Sequence, residues 1–390
     1  MNTKSLSSAF LALTALAAAA PSAAAGPAGS PPTSATQDEA GPSYWIYVAA
    51  ESDDTVDLVR FGEGGGELVR RIPVGILPSE IEGPHGVRVS PDGRHWYVSI
   101  AHGMPYGTVH KFETGSDLEV GDTTAGLFPA TMDISPATGF LFVVNFNLHG
   151  DHVPSSVSVI DTVSMTEIAQ IEQGVMPHGA RFGPDGMLAY SVAMMSSELF
   201  EMDTMTFSTR RRLRLTEDNA TTAAVPPEGD PHAGHAGMAM GGASGPAASP
   251  TWVQPAPDGR HLYVALQGLN QVLEVDLEAW EPRRRFHTRN GPYNVDVSSD
   301  GRHLVVTEKT NDSVGFWDLE NGTERASVPA SARITHGVVI TPDSRYALVT
   351  VEEIGGNPGR VEQYDLETLE RTAVVEVGKQ ASGIAFWKME

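Results

Sequence analysis

The sequence predicts an all-β chain folded as a seven-bladed β-propeller whose closing blade is split between the two ends. Three observations predict it. A tight turn of the Ser-Pro-Asp-Gly kind recurs six times, at 90–93, 135–138, 183–186, 256–259, 298–301 and 341–344. Proline presets φ early in such a turn and glycine supplies the permissive residue at its end. A run apolar on both faces follows each turn (HWYVSI, LFVVNF, AYSVAM, LYVALQ, LVVTEK and ALVTVE), as expected of a strand covered on both sides. Counting from His85, the equivalent positions are Ala130, His178, Thr251, Tyr293, His336 and Ser382, spaced by 45, 48, 73, 42, 43 and 46 residues. A period of about 40–50 residues with four short strands per unit is the propeller signature.

In chain order, the first 25 residues read as a secretory signal. Lys4 supplies the positive start, Ala9 to Ala20 the short apolar core, and Ala23-Ala24-Ala25 a small-residue cleavage site. The apolar core is too short to span a bilayer, and no other run approaches that length, so no transmembrane segment is expected. The mature chain is expected to be periplasmic or secreted. Residues 26–43, rich in Gly, Pro, Ser and Ala, read as a flexible leader. The propeller is expected to occupy 44–390.

Tyr44 to Ala50, Thr55 to Phe61 and Glu67 to Val74 read as strands b, c and d of the closing blade. The final run, Gly383 to Trp387, reads as its strand a, so the two termini join and remove an open sheet edge. The six internal blades run Gly86–Thr123, Thr131–Gln173, Gly179–Leu215, Trp252–Thr288, Asn294–Val328 and Gly337–Val377. The 73-residue spacing locates an insertion, Glu217 to Ser249, which reads as a mobile loop.

Composition narrows the function. There is no cysteine, which excludes disulfides, thiolate metal sites and a lipid anchor on cysteine. The chain carries 26 basic against 49 acidic residues, so bulk nucleic-acid binding is not expected. No nucleophile-elbow serine motif, phosphate-binding glycine loop or H-E-x-x-H is present. Oligomeric state is not legible.

The histidines then carry the argument. Links from strand d to the next strand a share one face, the top, with the b-to-c loops, while the a-to-b turns lie at the bottom. His95, His261 and His303 follow bottom turns, and His110 and His287 fall in outer strands; all five read as structural. His85, His178 and His336 open inner strands of blades one, three and six. Seven blades step by about 51° around the axis, so three imidazoles from these blades are placed to converge. Converging neutral imidazoles suit copper, or another transition metal such as Zn, Ni or Fe. Tyr293 would add a phenol to the ring. The insertion supplies a second candidate set, His232, His235, Met238 and Met240, whose thioethers suit Cu(I). The b-to-c loops supply a third, His102, His149 and His152. Glu308, Glu352 and Glu353 read as solvated loop acids. Arg88, Asp133, Arg181, Gln254 and Asp296 share one inner-strand position, which suggests ion pairs between neighbouring blades.

The units PHGVRVSPDGRHWYVSIA, MPHGARFGPDGMLAYSVA and THGVVITPDSRYALVTVE resemble the YVTN-type repeats of the exported, YncE-like bacterial propellers. The resemblance implies the fold and a binding or scaffold role. The axial copper cluster on the propeller of nitrous oxide reductase is similar in placement, but this chain lacks an adjacent His-His pair and a cupredoxin domain. No lactonase motif is present. Three functions therefore stand as expectations: a top-face binding protein for a metal or a protein partner, a metal-assisted oxidoreductase or hydrolase on that face, or a metal-free interaction scaffold.

Overall fold

The computed structural model describes residues 41–77, 79–102, 106–216, 221–223 and 248–390. The signal, most of the leader, and His232, His235, Met238 and Met240 lie outside them. Seven antiparallel sheets make seven blades. Their inner strands are Pro84–Val89, Pro129–Ile134, Pro177–Phe182, Pro250–Pro255, Pro292–Val297, Thr335–Ile340 and Ala381–Met389. The last of these pairs with Tyr44–Ala50, so the closing blade is built from both ends of the chain. Blade three departs from the expected four strands. A short strand, Thr221–Ala223, pairs with its outer strand Ser208–Arg214. Part of the insertion therefore covers an otherwise unpaired edge.

The repeat pattern is explained by what the inner strands touch. In each of the six internal blades the a–b ladder slips near the start of strand a, for example between Pro84 and Val87 and between Pro177 and Ala180. There the strand leaves its own sheet and meets the next blade. A Cβ on Gly86 would stand 2.2 Å from the Ala130 carbonyl oxygen, and one on Gly383 2.2 Å from that of His85. Only glycine permits these approaches.

Six of the seven junctions carry a hydroxyl from one blade on a main-chain carbonyl of the next. Ser99 donates to Ala130, Thr131 to His178, Thr251 to Tyr293, Thr307 to His336, Thr350 to Ser382, and Ser382 to His85. At the remaining junction, from blade three to blade four, His178 does the same work with Nδ1 on the Thr251 carbonyl at 2.8 Å.

Farther out, buried acids of the third strands meet arginines of the fourth. Asp57 pairs with Arg71 at 2.9 Å, Glu274 with Arg283 at 2.6 Å, and Glu201 with Arg211. This accounts for the basic outer strands. Pairing compensates a carboxylate that would otherwise be costly to bury.

Candidate functional site at the axis

Two features of the repeat shape the top of the axis. Each link enters strand a through a residue of positive φ: Gly83, Phe128, Met176, Ser249, Gly291, Ile334 and Gln380. For Ile334, at φ 70°, this is a costly conformation for a β-branched residue. The carbonyl of each such residue accepts the main-chain N–H of the residue just after strand b. Those donors are Ala101, Phe146, Met194, Gln267, Lys309, Glu352 and Glu51. Seven side chains are thereby set around the mouth, sixteen residues after the His85 position in each internal blade. They divide the mouth. Blades one to three supply Ala101, Phe146 and Met194, which pack with Phe128 and Ala130. Blades five to seven supply Lys309, Glu352 and Glu51.

Beneath this rim His85, His178 and His336 converge as the spacing predicts. The His85 ring centroid lies 6.1 Å from that of His178 and 5.6 Å from that of His336. All three histidines are buried. Tyr293 joins them, its ring 4.7 Å from His336 and its hydroxyl 2.9 Å from His178 Nε2. Because His178 Nδ1 faces a carbonyl, it carries the proton, and Nε2 accepts from the Tyr293 hydroxyl.

His85 has the reverse balance. Its Nδ1 stands 2.6 Å from Glu51 Oε1, and its Nε2 is buried with no partner. Glu51 is further held by Gln380 Nε2 at 2.9 Å. His336 also leaves a ring nitrogen, Nδ1, buried and unpartnered, while its Nε2 lies 3.7 Å from Glu352 Oε1. Lys309 Nζ binds that same oxygen at 2.7 Å and sits 4.0 Å above the Tyr293 ring.

Burial sets the charges. It drives His178 down to about 3 and His336 well below the ordinary histidine range, with the neighbouring His85 and Lys309 acting in the same direction. Burial raises Tyr293 to about 12. It also raises Glu352, with Lys309 opposing. Burial would raise Glu51 too, but the charge and hydrogen bond of His85 outweigh it and hold that carboxyl low. Lys309 stays charged: burial is outweighed by Tyr293 and Glu352.

The acids are a correction to the sequence reading. Glu352 is not a solvated loop acid but part of the axial cluster. Glu308 is fully buried and accepts hydrogen bonds from the Arg289 N–H, Ser313 and Ser327. Both end strand b or follow it directly, where the chain turns inward over the mouth. Glu51 and Lys309 are not singled out by the sequence reading. Their shared repeat position, just after strand b, is the signal that finds them.

The third histidine set is partly assembled. His102 and His149 stack at the surface, ring centroids 5.3 Å apart, and Phe128 separates them from His85. The His102 ring rests against Gly83, where a Cβ would stand 2.3 Å from it. His152 is exposed and makes no ring contact with them.

Among the described residues no group of three His, Asp or Glu side chains is arranged to hold a metal ion as it stands. At His178 the Tyr293 hydroxyl covers the nitrogen that would bind. The donor chemistry nevertheless fits: two ring nitrogens of the cluster are buried and unpartnered, and burial keeps two of the three rings neutral.

No protein-family model matches the chain, and no curated protein does. Solved structures share its fold. A chain of hydrazine synthase from Kuenenia stuttgartiensis is 19% identical with a TM-score of 0.61, the match covering 80% of this chain and 93% of that one. A putative 6-phosphogluconolactonase from Bacteroides uniformis is 14% identical with a TM-score of 0.62, covering 88% and 99%. A functionally unknown protein from Desulfotomaculum acetoxidans is 15% identical with a TM-score of 0.65, covering 88% and 98%. At these identities the likeness establishes the propeller fold, on which binding and scaffold roles are common.

Proposed function

We propose that this protein is an exported metal-binding propeller that takes copper at the top of its axis through His85, His178 and His336. The observation that carries the reading is His85 Nε2, a buried nitrogen without a partner, on a ring whose other nitrogen is held by a carboxylate. Metal-binding histidines are characteristically oriented in this way, and the carboxylate strengthens the imidazole as a donor. Among first-row divalent ions that accept imidazole, Cu(II) binds most strongly. When bound, the metal supplies a Lewis-acid or transferable centre. The chain holds the His178 and His336 rings neutral, orients His85 through Glu51, and covers the site with Phe128 and Phe146. In this reading His232, His235, Met238 and Met240 capture copper outside the axis, and residues 1–25 direct export.

A second reading, a protein partner on the same face, is favoured by exposed apolar side chains in top loops: Ile76, Leu77, Ile81, Tyr106, Leu127 and Leu148. The two are compatible, since a metal carrier must dock to deliver.

The test is elemental analysis of protein purified from the exported fraction, with calorimetric titration of Cu(II) and Zn(II). One metal equivalent, lost in the His85→Ala/His178→Ala/His336→Ala variant and kept when residues 230–242 are deleted, supports the axial site. Metal lost only on the deletion moves the function to the insertion. No metal in either leaves the docking face as the function.

A further inference from the structure

The opposite end of the axis holds a chamber of about 340 Å³ that opens beside the Ser90–Gly93 turn. Its polar lining is Arg88, Arg181, Gln254 and Asp296, and Val295, Val338, Ile340, Phe386 and Trp387 form much of an apolar wall. This size and mixture are typical of small-molecule sites.

The charges are not all paired directly. Arg88, Asp133, Arg181, Gln254 and Asp296 occupy one repeat position, three residues after the His85 position. Arg88 of blade one meets Asp133 of blade two, Nε to Oδ1 at 2.7 Å. Asp133 spends its other oxygen on the Phe182 N–H at 2.9 Å. Arg181 would by the same pattern meet an acid from blade four, but that position is Gln254. The next acid, Asp296, is committed to the N–H groups of Val297 and Ile340, each at 2.8 Å. Among the described residues Arg181 makes no ion pair. It donates only to main-chain carbonyls, Ala180 at 2.8 Å and Met132 at 3.4 Å, both through Nη1. Burial lowers it to about 10, with Arg88 adding to the effect and Asp133 and Asp296 opposing it.

The guanidinium is nonetheless fixed. It lies over the Trp252 ring at 4.5 Å. Trp252 also lines the chamber, is 6% exposed, and has an indole N–H buried with no acceptor. A planar cation stacked in place is pre-organised for a two-pronged grip on a carboxylate. Asp133 and Asp296 disfavour a dianion such as phosphate. We propose that this chamber binds a small organic monocarboxylate, its carboxylate on Arg181 and its apolar body against Val295, Ile340 and Phe386. The chamber opens at the other mouth of the axis; Trp252 lies between Arg181 and His178, its ring centroid 6.2 Å from that of His178, and the proposal does not rest on the metal reading.

Trp252 and Trp387 both line the chamber, so tryptophan emission reports occupancy. The probe is 3-phenylpropionate, with 3-phenylpropionamide as its uncharged counterpart and inorganic phosphate as the competing anion. The acid should bind saturably, and more tightly than either by about tenfold or more. Arg181→Lys should weaken it by about tenfold, because a point charge replaces the fork. Gln254→Glu supplies Arg181 with the acid the pattern omits. That variant should fold at least as stably as the parent and lose the probe. The proposal is overturned by equal binding of acid and amide, by tighter binding of phosphate, by no saturation below about 10 mM, or by undiminished binding in Gln254→Glu.

Discussion

His85 Nδ1 and Glu51 Oε1 stand 2.6 Å apart although thirty-four residues separate them. They come from blade one and the closing blade, so the contact exists only when the ring is shut. It joins closure of the fold to the orientation of the imidazole that faces the axial cluster.

Glu51→Gln tests that link. The amide keeps the size and loses the charge that orients His85. Copper affinity should fall by about 10- to 100-fold, the range for losing such a supporting carboxylate, with the far-ultraviolet dichroism unchanged. Competition with a chromophoric chelator measures it; unchanged affinity would show that Glu51 does not act on the metal ligand.

The buried histidines predict a pH dependence. His178 and His336 titrate below their unfolded value near 6.5, so between that value and about 3 the unfolded chain binds more protons than the native one. The contribution of these histidines to stability should therefore fall as the pH falls through that window, by about 1 kcal/mol per pH unit for each. Glu352 and Asp296, both raised by burial and the latter to about 6, act in the opposite sense above the ordinary carboxylate range and offset part of this slope, so the histidine contribution is read as the difference between parent and variant. Urea midpoints at pH 7, 5.5 and 4 measure the slope. His336→Gln, which cannot titrate, should flatten it.

The glycine after the axial histidine is a packing requirement. Gly86→Ala should cost about 3 kcal/mol or more, since the Cβ would meet a main-chain oxygen that cannot move aside. Gly64→Ala, where nothing lies within 4 Å, should change stability by less than about 0.5 kcal/mol. Thermal or urea unfolding distinguishes the two.

Junction hydroxyls predict a smaller loss. Thr350 Oγ1 accepts the Gly337 N–H at 2.8 Å and donates to the Ser382 carbonyl at 2.7 Å. Thr350→Val keeps the shape and strands two buried main-chain groups. It should destabilise by about 1–3 kcal/mol, read from the shift in urea midpoint.

The repeat made much of this legible. Turn, apolar strand and glycine recur because every blade packs on its neighbours in the same way, so one unit identifies the others. The same register, taken from spacing alone, brings His85, His178 and His336 to one end of the axis, and their rings do meet there. The inner-strand charges were half legible: Arg88 pairs with Asp133, but Arg181 has no such partner, because Gln254 replaces the acid.

The sequence by itself determined the number of blades, the closure by both termini and the convergence of the inner histidines, all of which follow from a recurring spacing of 42–48 residues broken once by the insertion. Only the tertiary structure decided which groups surround those histidines. Glu51, Lys309 and Glu352 each follow strand b directly, Glu51 at the start of a short 3-10 turn, where a one-residue difference in direction separates a solvated acid from a buried one. The carbonyl of the preceding link chooses the direction, and that carbonyl belongs to a residue distant in sequence. The chamber at the other end is likewise a tertiary fact, since an uncompensated arginine is visible only when the partner it lacks has been located.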